Sequence, residues 1–304
     1  MAEERVRYRT SLEDSARWDG FAFRAGDIVI SAPSKSGTTW TQMICALLVF
    51  QTPDLPAPLT TLSPWMDMLI RPASEVHAQL DAQRHRRFIK THTPLDGLPV
   101  ERRATYVGVG RDPRDIAVSL RHQGANLDRD VIARLLHDSV PESGSQQLAT
   151  RAATEREGLL RWMNSDDSPR ENLDTLRGLV WQSERVWSRR HEPNVVLLHY
   201  GDLSRDLEGE MRRLAARLDI DVPEVAWPAL VEAATFDAMR ERAADRVPDE
   251  RAGIMKDTRK FFRRGGSGEW RKWLTDDDLA EYDDRVAALA PPDLARWLHH
   301  GSRG

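Results

Sequence analysis

The sequence has one cysteine, Cys45, which excludes an intrachain disulfide. Cys45 lies inside an apolar helical pattern and reads as a core residue. Clustered His/Cys spacing of the kind that ligates zinc is also missing, so no metal is expected. No long apolar run occurs. The longest, from Ile44 to Phe50, is far too short to cross a bilayer. The N-terminal Met1-Ala2-Glu3-Glu4-Arg5 lacks the apolar centre of a signal peptide. Charge of one sign is not in excess. A net charge of -4 gives no bulk attraction to nucleic acid or anionic lipid, so any basic surface must be local. Internal repeats and low-complexity tracts are missing too. These absences predict a reduced, cytoplasmic protein with no nucleic-acid partner and no stable membrane insertion.

What remains is a 304-residue chain able to bury one large core. Nothing in it demands a second domain, so residues 1–304 are read as one. Short apolar runs alternate with longer helical patterns, the signature of an α/β protein with a central parallel sheet flanked by helices. Strands are predicted over 27–32, 87–91, 105–110 and 194–200. After the first strand comes a helix with Trp40, Met43, Ile44, Leu47 and Leu48 on one face. Further helices are predicted over 173–190, 207–218 and 276–289. Asp112-Pro113 after the third strand is an acidic N-cap with proline at the first helical position. Residues 51–64 and 247–268 read as long irregular loops, and 139–168 as a polar surface excursion.

Four segments, 31–40, 87–94, 111–119 and 261–270, carry chemistry. In the first, Lys35, Ser36, Gly37, Thr38, Thr39 and Trp40 sit between a strand and a helix. A turn entering a helix presents unpaired backbone N–H groups at the positive end of the helix dipole, which suits phosphate or sulfate oxygens. Gly37 allows close approach, the hydroxyls of Ser36, Thr38 and Thr39 add donors, and Lys35 adds full charge. Its lysine precedes the glycine, unlike the GxxxxGK[ST] loop of nucleoside triphosphatases.

In the second segment, Lys90 and His92 lie at a strand's carboxyl end, where ligands collect in doubly wound folds. A histidine there can take a proton from a hydroxyl, being neutral at pH 7. In the third, Arg111 and Ser119 could hold one dianionic phosphate, or Arg111 could simply pair with Asp115 at the surface. In the fourth, Phe262, Arg263, Arg264 and Gly265 suggest a basic flap that closes over a phosphate, or else a solvated charge run.

Taken together, Lys-Ser-Gly-Thr-Thr-Trp over 35–40, Lys-Thr-His-x-Pro over 90–94 and Arg-Asp-Pro-x-Asp over 111–115, with Ser119 eight residues after Arg111, resemble the sulfotransferases that use 3′-phosphoadenosine 5′-phosphosulfate (PAPS). The resemblance spans about residues 27–275. It implies a P-loop-like nucleotide-binding core and in-line transfer of a sulfuryl group to a hydroxyl. His92 would be the general base, with Lys35 and Lys90 beside the transferring group. Arg111 and Ser119 would hold the 3′-phosphate. Trp40 and Phe236 would lie by the adenine, with Tyr200 and Thr235 as polar contacts. Three departures stand out. Ser34 replaces the usual proline before the lysine, Arg264 replaces lysine and Glu269 replaces aspartate. The family's dimer motif would fall on 271–280, where only Thr275 of the residues compared fits.

The acceptor is a small molecule that the residues do not name. Residues 63–70, Ser-Pro-Trp-Met-Asp-Met-Leu-Ile, could wall a pocket for a hydrophobic alcohol, phenol or glycolipid, or could pack in the core. Two other functions compete: a small-molecule kinase, which would need Mg²⁺ and ATP, and a nucleotide-binding module without activity.

Overall fold

Four apolar segments pair side by side and all run parallel: β1 (Ile28–Ser31), β2 (Phe88–Thr91), β3 (Thr105–Gly110) and β4 (Val195–His199). Their order across the sheet is β2-β1-β3-β4. Val29 faces Ile89 on one side and Tyr106 on the other, and Val107 pairs with Val196. All four residues of β1 and of β2 are buried, because a parallel sheet needs helices on both faces. The computed structural model describes residues 5–139, 154–242, 253–262 and 265–302.

Each predicted strand is present, trimmed by a residue or so at the ends. The last stops at His199, and Tyr200 already opens the helix Tyr200–Arg205. The predicted helices appear as Leu176–Trp187, Leu207–Arg217 and Asp276–Leu289. Asp112 caps the helix Pro113–Asn126 by accepting from the Arg114 N–H at 2.9 Å.

Three expectations need correction. The helix Thr38–Phe50 is not apolar on one face only: every residue from Met43 to Leu48 is fully buried. The sheet covers one side, and the Leu59–Leu62 and Trp227–Ala233 helices cover others. The stretch read as a surface excursion contains a helix, Glu155–Asn164, with Leu159 and Met163 buried. A capping box starts it, Thr154 accepting from the Glu157 N–H and Glu157 reaching back to the Thr154 N–H. The irregular 51–64 loop includes the single helical turn Leu59–Leu62.

The strand order puts the site in place. From β1 the chain crosses to β2 on one side, and from β3 it crosses to β4 on the other. The crevice where the order reverses lies between the carboxyl ends of β1 and β3, where doubly wound folds bind ligands. The opposite end of the sheet is fastened by a buried ion pair. Arg87 Nε donates to Asp27 Oδ1 at 2.9 Å, Nη2 reaches Oδ2 and the Ala22 carbonyl, and both residues are about 1% exposed. Arg87→Met should therefore lose about 3–5 kcal/mol of stability, because it strands a buried carboxylate. Urea unfolding of the two proteins checks this, and a loss under about 1 kcal/mol would contradict it.

Candidate active site

One cavity opens at that crevice. It is lined by Lys35, Gly37, Thr38, Thr39 and Trp40 from the turn after β1, and by Lys90 and His92 from the end of β2. Arg111 and Ser119 come from the segment after β3, Tyr200 from the segment after β4, and Phe236, Phe262 and Gly265 from later in the chain. Six separated stretches of sequence thus meet in one place.

The turn after β1 is built to face an anion. Gly37 is the N-cap of Thr38–Phe50 with φ 116°, a left-handed value that favours glycine. A Cβ there would also lie 3.2 Å from the Tyr200 ring. Lys35 has φ 65° as well. Ser36 behaves differently from the sequence expectation. It is fully buried, its hydroxyl donates to the Pro33 carbonyl at 2.7 Å, and it does not line the cavity. Its part is to close the turn. Thr38 Oγ1 is buried without a hydrogen-bond partner among the described residues, and so is Arg111 Nε. Buried donors without partners call for ligand acceptors, and phosphate oxygens would satisfy both. On this observation the residues fit a bisphosphate nucleotide.

The cations lie on aromatic faces. Lys35 Nζ is 4.1 Å from the Phe261 ring centre, Lys90 Nζ is 3.3 Å from that of Trp65, and the Arg111 guanidinium is 4.0 Å from that of Tyr200. Arg111 also donates to the Lys35 carbonyl at 3.1 Å and to the Gly266 carbonyl at 3.3 Å, joining the turn to the flap. Burial, then Arg111 and Lys90, pull the Lys35 pKa down to about 7, with Asp174 opposing.

His92 is 4% exposed and is held on several sides. Its Nδ1 lies 2.6 Å from the Ala32 carbonyl. A carbonyl can only accept, so Nδ1 carries the proton and Nε2 keeps its lone pair. The His92 carbonyl accepts from Gln182 Nε2 at 2.8 Å, and Trp65 meets the ring edge-on at 4.8 Å. Burial, then the ammonium groups of Lys90 and Lys35, push the imidazole pKa down to about 3. It is neutral at physiological pH.

Of the aromatic residues, Trp40 donates from Nε1 to the Ala234 carbonyl at 2.8 Å and stands edge-on to Tyr200 at 5.2 Å. Phe236 packs edge-on against Phe262 at 6.2 Å and lies under Gly265, where a Cβ would be 2.7 Å from its ring. Tyr200 Oη donates to the Gly265 carbonyl at 3.1 Å. Thr235 does not line the cavity. It caps the helix Phe236–Glu241, accepting from the Ala238 N–H at 3.3 Å. Arg263 and Arg264 lie outside the described residues. The flap around them is nonetheless tied down, since Asp115 accepts from the Gly268 N–H at 2.7 Å. That contact replaces the surface pair with Arg111 considered above.

Sequence reasoning missed several participants. Phe261 and Trp65 carry the lysines, and Asp115 anchors the flap. Asp67, within the segment read only as apolar, accepts a bond from the His92 N–H. No spacing signal gave Phe261, Trp65 or Asp67 these roles, and Asp115, although part of the Arg-Asp-Pro-x-Asp motif, was read only as a surface partner of Arg111. Part of the cavity wall is apolar, made by Leu12, Trp65, Met68, Leu127, Ile132, Ile254 and Met255, which pack in one cluster.

A family model described as "Sulfotransferase domain" matches residues 25–295. The "Glycolipid sulfotransferase" of Mycobacterium bovis (strain BCG / Pasteur 1173P2) is 47% identical, over 99% of this chain and 96% of that protein. "Sulfotransferase 1 family member D1" of Rattus norvegicus is 25% identical, over 89% and 84%. Among solved structures, retinol dehydratase in complex with retinol and PAP has a TM-score of 0.69 at 22% identity, covering 90% of this chain and 84% of that one. Mouse sulfotransferase SULT7A1 complexed with PAP has a TM-score of 0.66 at 21% identity, covering 93% and 90%. With its motifs meeting in one crevice of this fold, the chain belongs to the sulfotransferase family.

Proposed function

We propose that the protein moves the sulfuryl group of PAPS to a hydroxyl of a small acceptor with a hydrophobic part, and that His92 is the general base. One observation carries this reading. Lys35, Lys90 and Arg111 face a single cavity together with an imidazole whose Nδ1 is committed to the Ala32 carbonyl, leaving Nε2 without a hydrogen bond among the described residues. The PAP in the two structural neighbours and the glycolipid named for the mycobacterial relative agree with donor and acceptor class.

In this reading the helix N-terminus, Lys35, Thr38 and Thr39 hold the 5′-phosphosulfate, and Arg111 with Ser119 holds the 3′-phosphate. Trp40 and Phe236 flank the adenine. The acceptor enters along the apolar wall and presents its hydroxyl to His92 Nε2. The acceptor oxygen bonds to sulfur as the bridging P–O–S oxygen leaves, and the hydroxyl proton passes to Nε2 and on to solvent. PAP departs with the electron pair of the broken bond. Lys35 and the helix dipole offset charge growing on the leaving phosphate, and Lys90 holds sulfuryl oxygens; such fixed electrostatics supply several kcal/mol. The donor's negative charge also offsets the two ammonium groups that depress the His92 pKa, raising its basicity when the donor is bound.

Two outcomes are expected. His92→Ala should lower kcat by about two to four powers of ten while the Kd for PAP, by calorimetry, stays within about twofold. Near-normal turnover would remove His92 as base. The second concerns Lys35, which faces Arg111, Lys90 and Asp174 and has a pKa lowered to about 7. A bisphosphate favours its ammonium form, so binding takes up a proton. Affinity for PAP should be full below pH 7 and fall by up to ~tenfold per pH unit above it. Lys35→Met should flatten that slope, and a Kd constant from pH 6 to 9 in the unmodified protein would contradict the assignment.

A further inference from the structure

We infer that Asp67 is a positioning residue for the transfer step, its carboxylate fixing the stretch of backbone that presents His92 to the acceptor hydroxyl. The inference rests on the reading of His92 as the base.

Residues 64–68 form a strap along the outer edge of β2. The Lys90 N–H donates to the Pro64 carbonyl at 3.1 Å and the Met66 N–H to the Lys90 carbonyl at 2.9 Å, so Trp65 bridges Lys90 in parallel. From the other side, Arg17 Nε donates to the Met66 carbonyl at 2.7 Å and the Asp14 N–H to the Asp67 carbonyl at 2.9 Å. The strap is therefore held along both edges. It offers two side chains to the end of β2: Trp65, edge-on to the imidazole, and Asp67.

A single oxygen of Asp67, Oδ2, accepts four hydrogen bonds: from Thr91 Oγ1, the His92 N–H, the Thr93 N–H and Thr93 Oγ1, each at 2.9 Å. Three consecutive residues are thereby locked to one point, with His92 in the middle. Asp67 is fully buried, and its Oδ1 has no hydrogen-bond partner among the described residues. Burial pushes its pKa up despite the donors around it. A carboxylate in this setting is a poor means of stabilising a fold, since apolar residues of similar volume often do at least as well. What it supplies is geometry. Four donors converging on one acceptor define the path of the chain more tightly than packing can. The carboxylate has no hydrogen bond to the imidazole ring, so it acts through the backbone. The ring is then set by Nδ1 on Ala32, by Gln182 on the His92 carbonyl and by Trp65.

The test compares Asp67→Asn, which keeps shape and removes charge, with the unmodified chain. The asparagine oxygen accepts less strongly, and its amide nitrogen adds a donor where Oδ1 had none. Misplacing a reacting group by about 1 Å can cost ~10²-fold. The expected loss in kcat is about 30- to 100-fold, with the Kd for PAP unchanged within about twofold. Thr93→Val, which deletes one of the four bonds and no charge, should lose about three- to tenfold. The decisive comparison is a double-mutant cycle. In a His92→Ala background, Asp67→Asn should change the residual rate by less than about twofold. The inference is overturned if folded Asp67→Asn keeps kcat within about threefold. It is equally overturned if the substitution lowers the residual rate of His92→Ala by the same factor as in the unmodified chain, which would mark an effect on the whole structure. If Asp67→Asn does not fold, the Thr93→Val cycle with His92→Ala decides in its place. Full turnover in His92→Ala would instead remove the base itself, and this inference with it.

Discussion

Everything in the site depends on holding three cations close together. Lys35, Lys90 and Arg111 repel one another, and the lowered pKa of Lys35 records both that repulsion and burial. The parallel sheet forces the meeting, because β1, β2 and β3 are neighbours and end at the same edge. Aromatic faces make it tolerable. Phe261, Trp65 and Tyr200 each present a ring to one cation, an attraction of roughly 0.5–2 kcal/mol apiece. The proposed donor, with phosphates on both the 3′ and 5′ oxygens of its ribose, suits such an array.

The imidazole proposed as the base is held by the opposite strategy, removal of freedom rather than accumulation of charge. His92 is buried, its tautomer is set by a carbonyl, and its backbone is fixed on both sides. Burial first, and then the ammonium groups of Lys90 and Lys35, keep the imidazole neutral. In the proposed reading, donor binding and base strength are linked through Lys35 and Lys90. A proton acceptor that gains basicity as the negatively charged donor enters is suited to act only on a loaded site.

How much of this could be read from the chain follows from where the determinants lie. The turn at 35–40 was legible because backbone, charge and hydroxyls are contiguous, and Asp112-Pro113 because caps are local. The fate of individual hydroxyls was not legible. Ser36 and Thr39 look alike in sequence, yet Ser36 turns inward to Pro33 while Thr39 lines the cavity. Thr235, expected beside the adenine, likewise serves instead as the N-cap of the helix Phe236–Glu241. Asp67 was invisible for a different reason: it works across 24 to 26 residues of sequence, on two threonine hydroxyls and on two backbone N–H groups that carry no side-chain signature. The helix Glu155–Asn164 could have been found, since Thr154-Glu155-Arg156-Glu157 spells a capping box. The serine-rich residues before it obscured that signal. Burial all round Met43–Leu48 follows from layers contributed by distant parts of the chain, which one-dimensional periodicity does not record.

Ligand discrimination by the unmodified protein tests most directly whether the cations serve two separate phosphates. Calorimetry with 3′,5′-bisphosphoadenosine and with adenosine 5′-phosphate, at one pH and ionic strength, compares a nucleotide that engages Arg111 and Ser119 with one that cannot. The account predicts tighter binding of the bisphosphate by about 10²-fold, as expected for charge-assisted bonds to a dianion. Equal affinities would contradict it.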